Sequence, residues 1–431
     1  PPQFPLLPGT MKLPEAAQQQ ISSQIEQHYG QHESLNFPLG GPIRWQGKSA
    51  SVEAVIEETP KLIKAKSPLG DYQSEPATGQ TLLVLPQNGQ SSAEAEQTPA
   101  ELARVRIPWT GTVQSLTAEE VEFIPDGTEH TSLQVGDEMV LRPSHQLLAG
   151  QGIYRQHCMA CHGISGGGDG PQSQILNPKP RDFRLGIFKY TSTVPGLPSS
   201  HDDLKKVIKQ GIAGTGMPAF KLLGNHEIAQ AVDYVRYLAL RGVLERDLAL
   251  EVGVELPLLK TPEETEQFYS LKLPQIVQKE TSRQFELCFA ADDPARMVQP
   301  TSEPPEPGEK SVANPELTSV ENGRLLFQSK TGQCATCHGA DGKGDGEQTK
   351  AFHKGPDGNE YPEPGLHDSW GHLVKPRDLS YGVFHGGREK IDLYRRIYAG
   401  VKGTPMPAYA LSGLTEQEIW DLVNFVLSLG E

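Results

Sequence analysis

Apolar and polar positions divide the chain into three kinds of stretch. Residues 1–40 hold no clear period, and Gln18-Gln19-Gln20 with several prolines reads as an extended or partly helical tail. Residues 41–146 alternate over short runs, as half-buried strands do. Val52, Val55 and Ile56 mark one strand, residues 81–85 a second, and residues 121–124 a third that ends at the turn Pro125-Asp126-Gly127. Met139-Val140-Leu141 follows the turn pair Gly136-Asp137. Residues 87–100 are polar and read as a mobile loop. From residue 147 the spacing turns helical, and a second helical block opens at 319. Residues 244–318 read as a partly helical linker: Thr261-Pro262-Glu263-Glu264 is a helix start, and Pro304-Pro305-Glu306-Pro307-Gly308 a stiff end. The predicted class is mainly α: two helical domains in tandem, 147–243 and 319–431, preceded by a small strand-rich domain at 41–146.

The two helical blocks repeat each other. Cys158-Met159-Ala160-Cys161-His162-Gly163 pairs with Cys334-Ala335-Thr336-Cys337-His338-Gly339. Gly-rich segments follow at 166–170 and 342–346, then Lys179-Pro180-Arg181-Asp182 and Lys375-Pro376-Arg377-Asp378. Gly186-x-Phe188 matches Gly382-x-Phe384, and Gly214-Thr215-Gly216-Met217-Pro218 matches Gly403-Thr404-Pro405-Met406-Pro407. Each block closes on an amphipathic helix, in which Asp233, Val235 and Tyr237 are matched with Asp421, Val423 and Phe425. An insertion, roughly 352–372, sets the second block apart and reads as a surface loop.

Composition narrows the classes. A length of 431 residues suggests two to four domains, and 36 Pro with 44 Gly fit loops and linkers better than one large core. A net charge of -15 argues against nucleic-acid binding, which needs a basic surface, and fits a complementary protein partner. No run approaches the roughly 18 apolar residues of a membrane span. The chain begins Pro1-Pro2 without an initiator Met and reads as processed or truncated, with a leader or anchor removed.

Four of the five cysteines fall in two tight pairs. C-x-x-C-H reads as a haem c attachment site. Two thiols at that spacing reach the two vinyl groups of one porphyrin, and the next imidazole falls over the iron. Cys158 and Cys161 would hold one haem and Cys334 and Cys337 another, with His162 and His338 as proximal ligands. A redox disulfide and a zinc site shared by the two pairs are the alternatives; each pair, however, carries its own His and its own downstream Met. Met217 and Met406 sit in loops at equivalent positions and are the candidate distal ligands, a thioether favouring ferrous iron. Histidine ligation is the rival, with His201, His226, His353, His367, His372 and His385 available.

Both blocks resemble class I cytochromes c, over residues 147–242 and 320–431. The resemblance implies an N-terminal helix crossing a C-terminal one through a small residue and an aromatic. Gly150 with Tyr154 and Gly323 with Phe327 fit that signature, and their partners would be Tyr237 and Phe425. It also implies an exposed haem edge beside the thioethers, and export before haem attachment. The expected place is therefore the periplasm or the outer face of a bacterial inner membrane. The linked pair resembles di-haem cytochromes of bacterial respiratory chains.

Arg181 and Arg377 would each pair with a haem propionate, with Asp182 and Asp378 fixing the Arg or a nearby loop. The Gly-rich segments read as tight turns at the haem edge, since no Walker Lys-Ser/Thr follows them. Cys288 reads as a buried inert thiol, and the four tryptophans as packing residues. Lys205-Lys206 and Arg395-Arg396 read as solvated faces or a docking patch. The expected function is single-electron transfer by two covalently bound haems c between redox protein partners, as a carrier or a subunit of a membrane-associated complex. Two six-coordinate irons leave no site for a small-molecule substrate. The alternatives are a catalytic di-haem cytochrome, of peroxidase or thiosulfate-oxidising type, and a chain docked into a membrane complex by its N-terminal domain.

Overall fold

The computed structural model describes residues 4–59, 62–66, 81–86, 108–117, 119–126, 132–356 and 358–430; the polar stretch 87–100 and Gly127 lie outside them. Seven strands form one antiparallel sheet: β1 (Trp45–Ser51), β2 (Ala54–Thr59), β3 (Leu62–Lys66), β4 (Thr81–Leu85), β5 (Trp109–Leu116), β6 (Glu120–Pro125) and β7 (Glu138–His145), in the order β1-β7-β4-β5-β6-β3-β2. Val52 does not join Val55 and Ile56 in one strand. It is buried in the gap between β1 and β2, where its N–H and C=O bond to Asp137 and Gly136. The sequence reading passed over β5, in which Trp109, Gly111 and Val113 face inward at period two, because glycine carries no apolar signal.

The supposed tail holds helix α1 (Glu15–Tyr29). Ala17, Ile21, Ile25 and Tyr29, four residues apart, form one buried stripe. That stripe lies on α4 (Asn225–Glu255), the 31-residue closing helix of the first block. The other helices of that block are α2 (Leu147–His157) and α3 (His201–Gln210). Ser200 caps α3 in a capping box with Asp203. Between the blocks, α5 (Leu273–Asp292) packs on α4 instead of hanging free. Arg236 of α4 forks onto both carboxylate oxygens of Asp292 at 2.6 Å.

The second block contains α6 (Ser319–Gln328), α7 (Lys390–Ala399) and α8 (Glu416–Ser428). Thr318 with Glu321 and Thr415 with Glu418 close capping boxes on α6 and α8. Each block has its own apolar core. The first is continuous with α1 and α5, and the second is bounded by Val298 and residues of α6, α7 and α8.

The helix crossings correct the repeat register. A Cβ on Gly150 would meet the Gln230 carbonyl at 2.2 Å and Tyr234 Cβ at 3.1 Å; one on Gly323 would meet the Asp421 carbonyl at 2.0 Å and Phe425 Cβ at 2.8 Å. Gln230 and Tyr234 are therefore the equivalents of Asp421 and Phe425. Tyr154 packs on Tyr234 at 5.2 Å, as Phe327 packs on Phe425 at 5.2 Å. Tyr237 stacks on Tyr234 at 5.6 Å and reaches on toward α1, donating its hydroxyl to the Tyr29 carbonyl at 2.7 Å.

Candidate metal centres

The C-x-x-C-H segments form short helical turns, the first directly after α2 and the second beyond a turn at 329–333 that follows α6. In the first block Tyr154 donates its hydroxyl to the Gly163 carbonyl at 2.7 Å. The glycine segments then fold back over the motif. Gly168 N–H donates to the His162 carbonyl at 2.9 Å, and Gly344 N–H to that of His338 at 2.7 Å. Both glycines have φ of +73°. A Cβ there would strike the carbonyl of Pro180 at 2.6 Å or of Pro376 at 2.4 Å. Glycine is required because the loop must pass flat against the Lys-Pro-Arg-Asp segment.

That contact places the acting atom of each repeated Arg, which is its main-chain carbonyl. The Arg181 carbonyl lies 3.0 Å from His162 Nδ1, and the Arg377 carbonyl 3.2 Å from His338 Nδ1. A carbonyl only accepts, so Nδ1 carries the proton and Nε2 keeps the lone pair a metal needs. Burial lowers the pKa of both imidazoles against the raising effect of these bonds, which favours the neutral ring.

The Met loops are built alike. Thr215 and Thr404 hydroxyls accept from the N–H groups of Met217 and Met406 at 3.1 and 3.3 Å, while Ile212 and Val401 N–H groups donate to the Met carbonyls at 3.2 Å. Cys158, Cys161, His162 and Met217 line one crevice; Cys334, Cys337, His338 and Met406 line another. One zinc shared by the two cysteine pairs has no place in this arrangement. None of the five cysteines is in a disulfide. Burial pushes the thiols of Cys158 and Cys334 up to about 12 and about 11, so these positions favour an uncharged sulfur, as a thioether is.

Much of the remaining wall is apolar, with Leu176, Phe183, Phe188, Leu204, Ile208 and Val235 in the first crevice and Leu366, Leu379, Phe384, Leu393, Leu422 and Val426 in the second. One side of each is basic, with Arg181 and Lys189 in the first and Lys189 and Arg377 in the second. Phe183 stacks on the His162 ring at 4.5 Å. The residues fit haem c twice over: two thiols, a tautomer-fixed imidazole and a thioether around an apolar slot.

Residues 145–235 match the family model for cytochrome c oxidase, cbb3-type, subunit III, and residues 320–430 match that for cytochrome c. The chain is a c-type cytochrome. No curated protein matches it. Among solved structures, a chain of the reducing HAO-like protein complex of Kuenenia stuttgartiensis aligns with a TM-score of 0.45 and 25% identity, covering 66% of this chain and 96% of that one. No helix of the cytochrome among the described residues is long and apolar enough to cross a membrane.

The structure also places the other side chains of this cytochrome that the sequence singled out. Asp182 pairs with Arg184, not Arg181, and Asp378 accepts from the Ser380 amide and hydroxyl. Cys288 is buried on α5, lines neither crevice, and is pushed up to about 11 by burial. His385 lines both crevices, while His201 is bound to Asp233 at 3.1 Å. Lys206 pairs with Asp392 of the second block at 2.5 Å, and Arg395 donates to the Val298 carbonyl at 3.0 Å. These cations serve contacts within the molecule. The 352–372 insertion is largely exposed, as expected of a surface loop, but Leu366 is buried and Trp370 stacks under the Arg181 guanidinium at 3.7 Å.

Proposed function

We propose that this cytochrome carries two covalently bound haems c and passes single electrons between redox protein partners in an extracytoplasmic respiratory chain. Cys158 and Cys161 would form thioethers to the first haem, with His162 and Met217 as its axial ligands. Cys334, Cys337, His338 and Met406 would do the same for the second. Each haem iron, once bound, supplies a reversible one-electron couple. The chain's own residues keep the ligands still: a main-chain carbonyl fixes each imidazole, a threonine turn fixes each Met loop, and apolar walls exclude water. A rigid, dry pocket needs little reorganisation when charge arrives. Arg181 and Arg377 would place their guanidinium groups beside propionates.

The observation that carries this reading is the duplicated constellation, in which both histidines are oriented by the carbonyl of the same repeated arginine. Methionine in both crevices disfavours a peroxidase or thiosulfate-oxidising role, which needs an exchangeable position or a Cys ligand. The periplasm or the outer face of an inner membrane is the proposed location, because haem c attachment follows export. The strand-rich unit would then be free to dock the chain into a membrane-associated complex.

Haem quantification on the denatured holoprotein tests the core of the proposal. Two haems per chain that survive denaturation, with one free thiol appearing only on unfolding, are expected. Five reactive thiols and no bound tetrapyrrole would overturn it. Cyanide or peroxide binding to the resting protein would shift the reading to an enzyme.

A further inference from the structure

The two crevices share a wall made from equivalent positions of the repeat. Phe188-Lys189-Tyr190 corresponds to Phe384-His385-Gly386. His385 of the second block lines the first crevice, and Lys189 and Tyr190 of the first block line the second. Tyr190 lies flat against Gly386, where a Cβ would come within 2.6 Å of its ring. The Met loops are approached in the same crossed manner. A Cβ on Gly214, just before Met217, would sit 2.9 Å from the Arg377 guanidinium and 3.3 Å from His385 Nε2. A Cβ on Gly403, just before Met406, would sit 2.6 Å from the Trp370 ring on which Arg181 stacks.

This wall holds more positive than negative charge. Burial pushes Arg181 down to about 10, and burial with Arg181 pushes Lys189 down to about 8. Burial with Arg377, Lys189 and Arg396 pushes His385 down to about 4. Carboxylates at the wall are engaged elsewhere: Asp182 with Arg184, Asp392 with Lys206, and Asp368 with the amides of Trp370 and His372. His385 Nε2 is buried beside the Gly214 backbone and makes no hydrogen bond of good geometry. Asp368 still acts on Arg181 and Lys189, and Asp182 on Arg181. None of these carboxylates lines either crevice, whereas Arg181, Lys189 and Arg377 do. Partly buried cations in such excess favour a further anion that enters the crevices.

Resting on the haem reading above, we propose that this shared wall takes the propionate carboxylates of both haems, so that each haem is held in part by the other block. Arg181 and Lys189 face Arg377 and His385 across the boundary, and all four serve a single anionic cluster. The two haems are then coupled, because one cation stabilises electrons on both.

The test is a spectroscopic redox titration of the holoprotein. Lys189→Met should lower both midpoint potentials, and Lys189→Arg should keep both near the wild type. Lys205→Met, an exposed cation paired with Asp202, should leave both unmoved. Arg377→Gln provides a second probe from the other block and should again lower both. A shift confined to one haem, or to neither, in a variant with two bound haems would overturn the shared wall while leaving the haem reading intact. Absence of haem from the wild type would instead remove the haem reading itself.

Discussion

The Arg181 carbonyl oxygen sits 3.0 Å from Nδ1 of His162. A main-chain acceptor survives any change of its side chain. Arg181→Ala is therefore expected to retain a haem with His/Met ligation, visible as an unchanged sulfur-to-iron charge-transfer band. The potential should fall, because a cation beside the haem has gone. Loss of about half of the band in this variant would mean that the side chain is needed to keep the axial ligation of the first haem.

Met217→His should lower one potential and leave the other nearly unchanged. A shift on the order of 0.1 V is expected, a modest part of the roughly 0.8 V over which axial ligation sets haem potentials. Redox titration checks it, with the charge-transfer band falling by about half as one of two thioether ligands is lost. Equal movement of both potentials would contradict the assignment of Met217 to the first crevice.

Gly323 marks the closest approach of α6 and α8, with an added Cβ 2.0 Å from the Asp421 carbonyl. Gly323→Ala should destabilise the second domain by about 1–3 kcal/mol, the usual cost of overpacking a tight core. Denaturant titration followed at the second haem measures this. Gly308→Ala, where no atom lies within 4 Å of the new Cβ, should be neutral and serves as the control.

Glu416 pins the linker to α8, accepting from the amides of Thr301 at 2.9 Å and Ser302 at 2.7 Å. Burial raises its pKa, but the bonds from Ser302 and Thr301 prevail and hold it below the usual 4.5. A depressed carboxylate pKa contributes stability that is complete above the unfolded value and is lost as pH falls through the folded one. Hydrogen-exchange protection at Thr301 and Ser302 should thus hold at neutral pH and collapse in acid below 4.5. Glu416→Gln should reproduce the loss at neutral pH, and protection that persists in that variant would rule the carboxylate out.

The chemistry was the most legible part of the sequence. Thioether attachment and axial ligation need fixed residue types at fixed spacings, so the C-x-x-C-H and Met segments stand out at a glance. The closing helices were harder to read. Tyr234 and Tyr237 lie three residues apart on one helix, and either satisfies an aromatic match to Phe425; only the backbone contact at Gly150 decides between them. Helix α1 was masked by its glutamines, whose bulk hides a four-residue apolar spacing. The arginine's role was missed because the acting atom is a carbonyl, which every residue has. Fold symmetry gave the one retrievable clue: Lys189 and His385 occupy matching positions, but a Lys and a His look unrelated until their crevices are seen to adjoin.

Tyr237 ties the first helical block to α1, and the same face of α4 carries Leu244, Leu248 and Val252 into a core completed by segments before and after it. The two halves of the duplication are consequently unequal in independence. A fragment cut at residues 147 and 243 would sever α4 mid-span and lay bare an oily flank, inviting aggregation. Excision from about residue 298 onward keeps its buried core nearly whole, losing the cover of Val194 and the contacts of the shared wall. Whatever ancestral module was copied, one copy has since become inseparable from its surroundings.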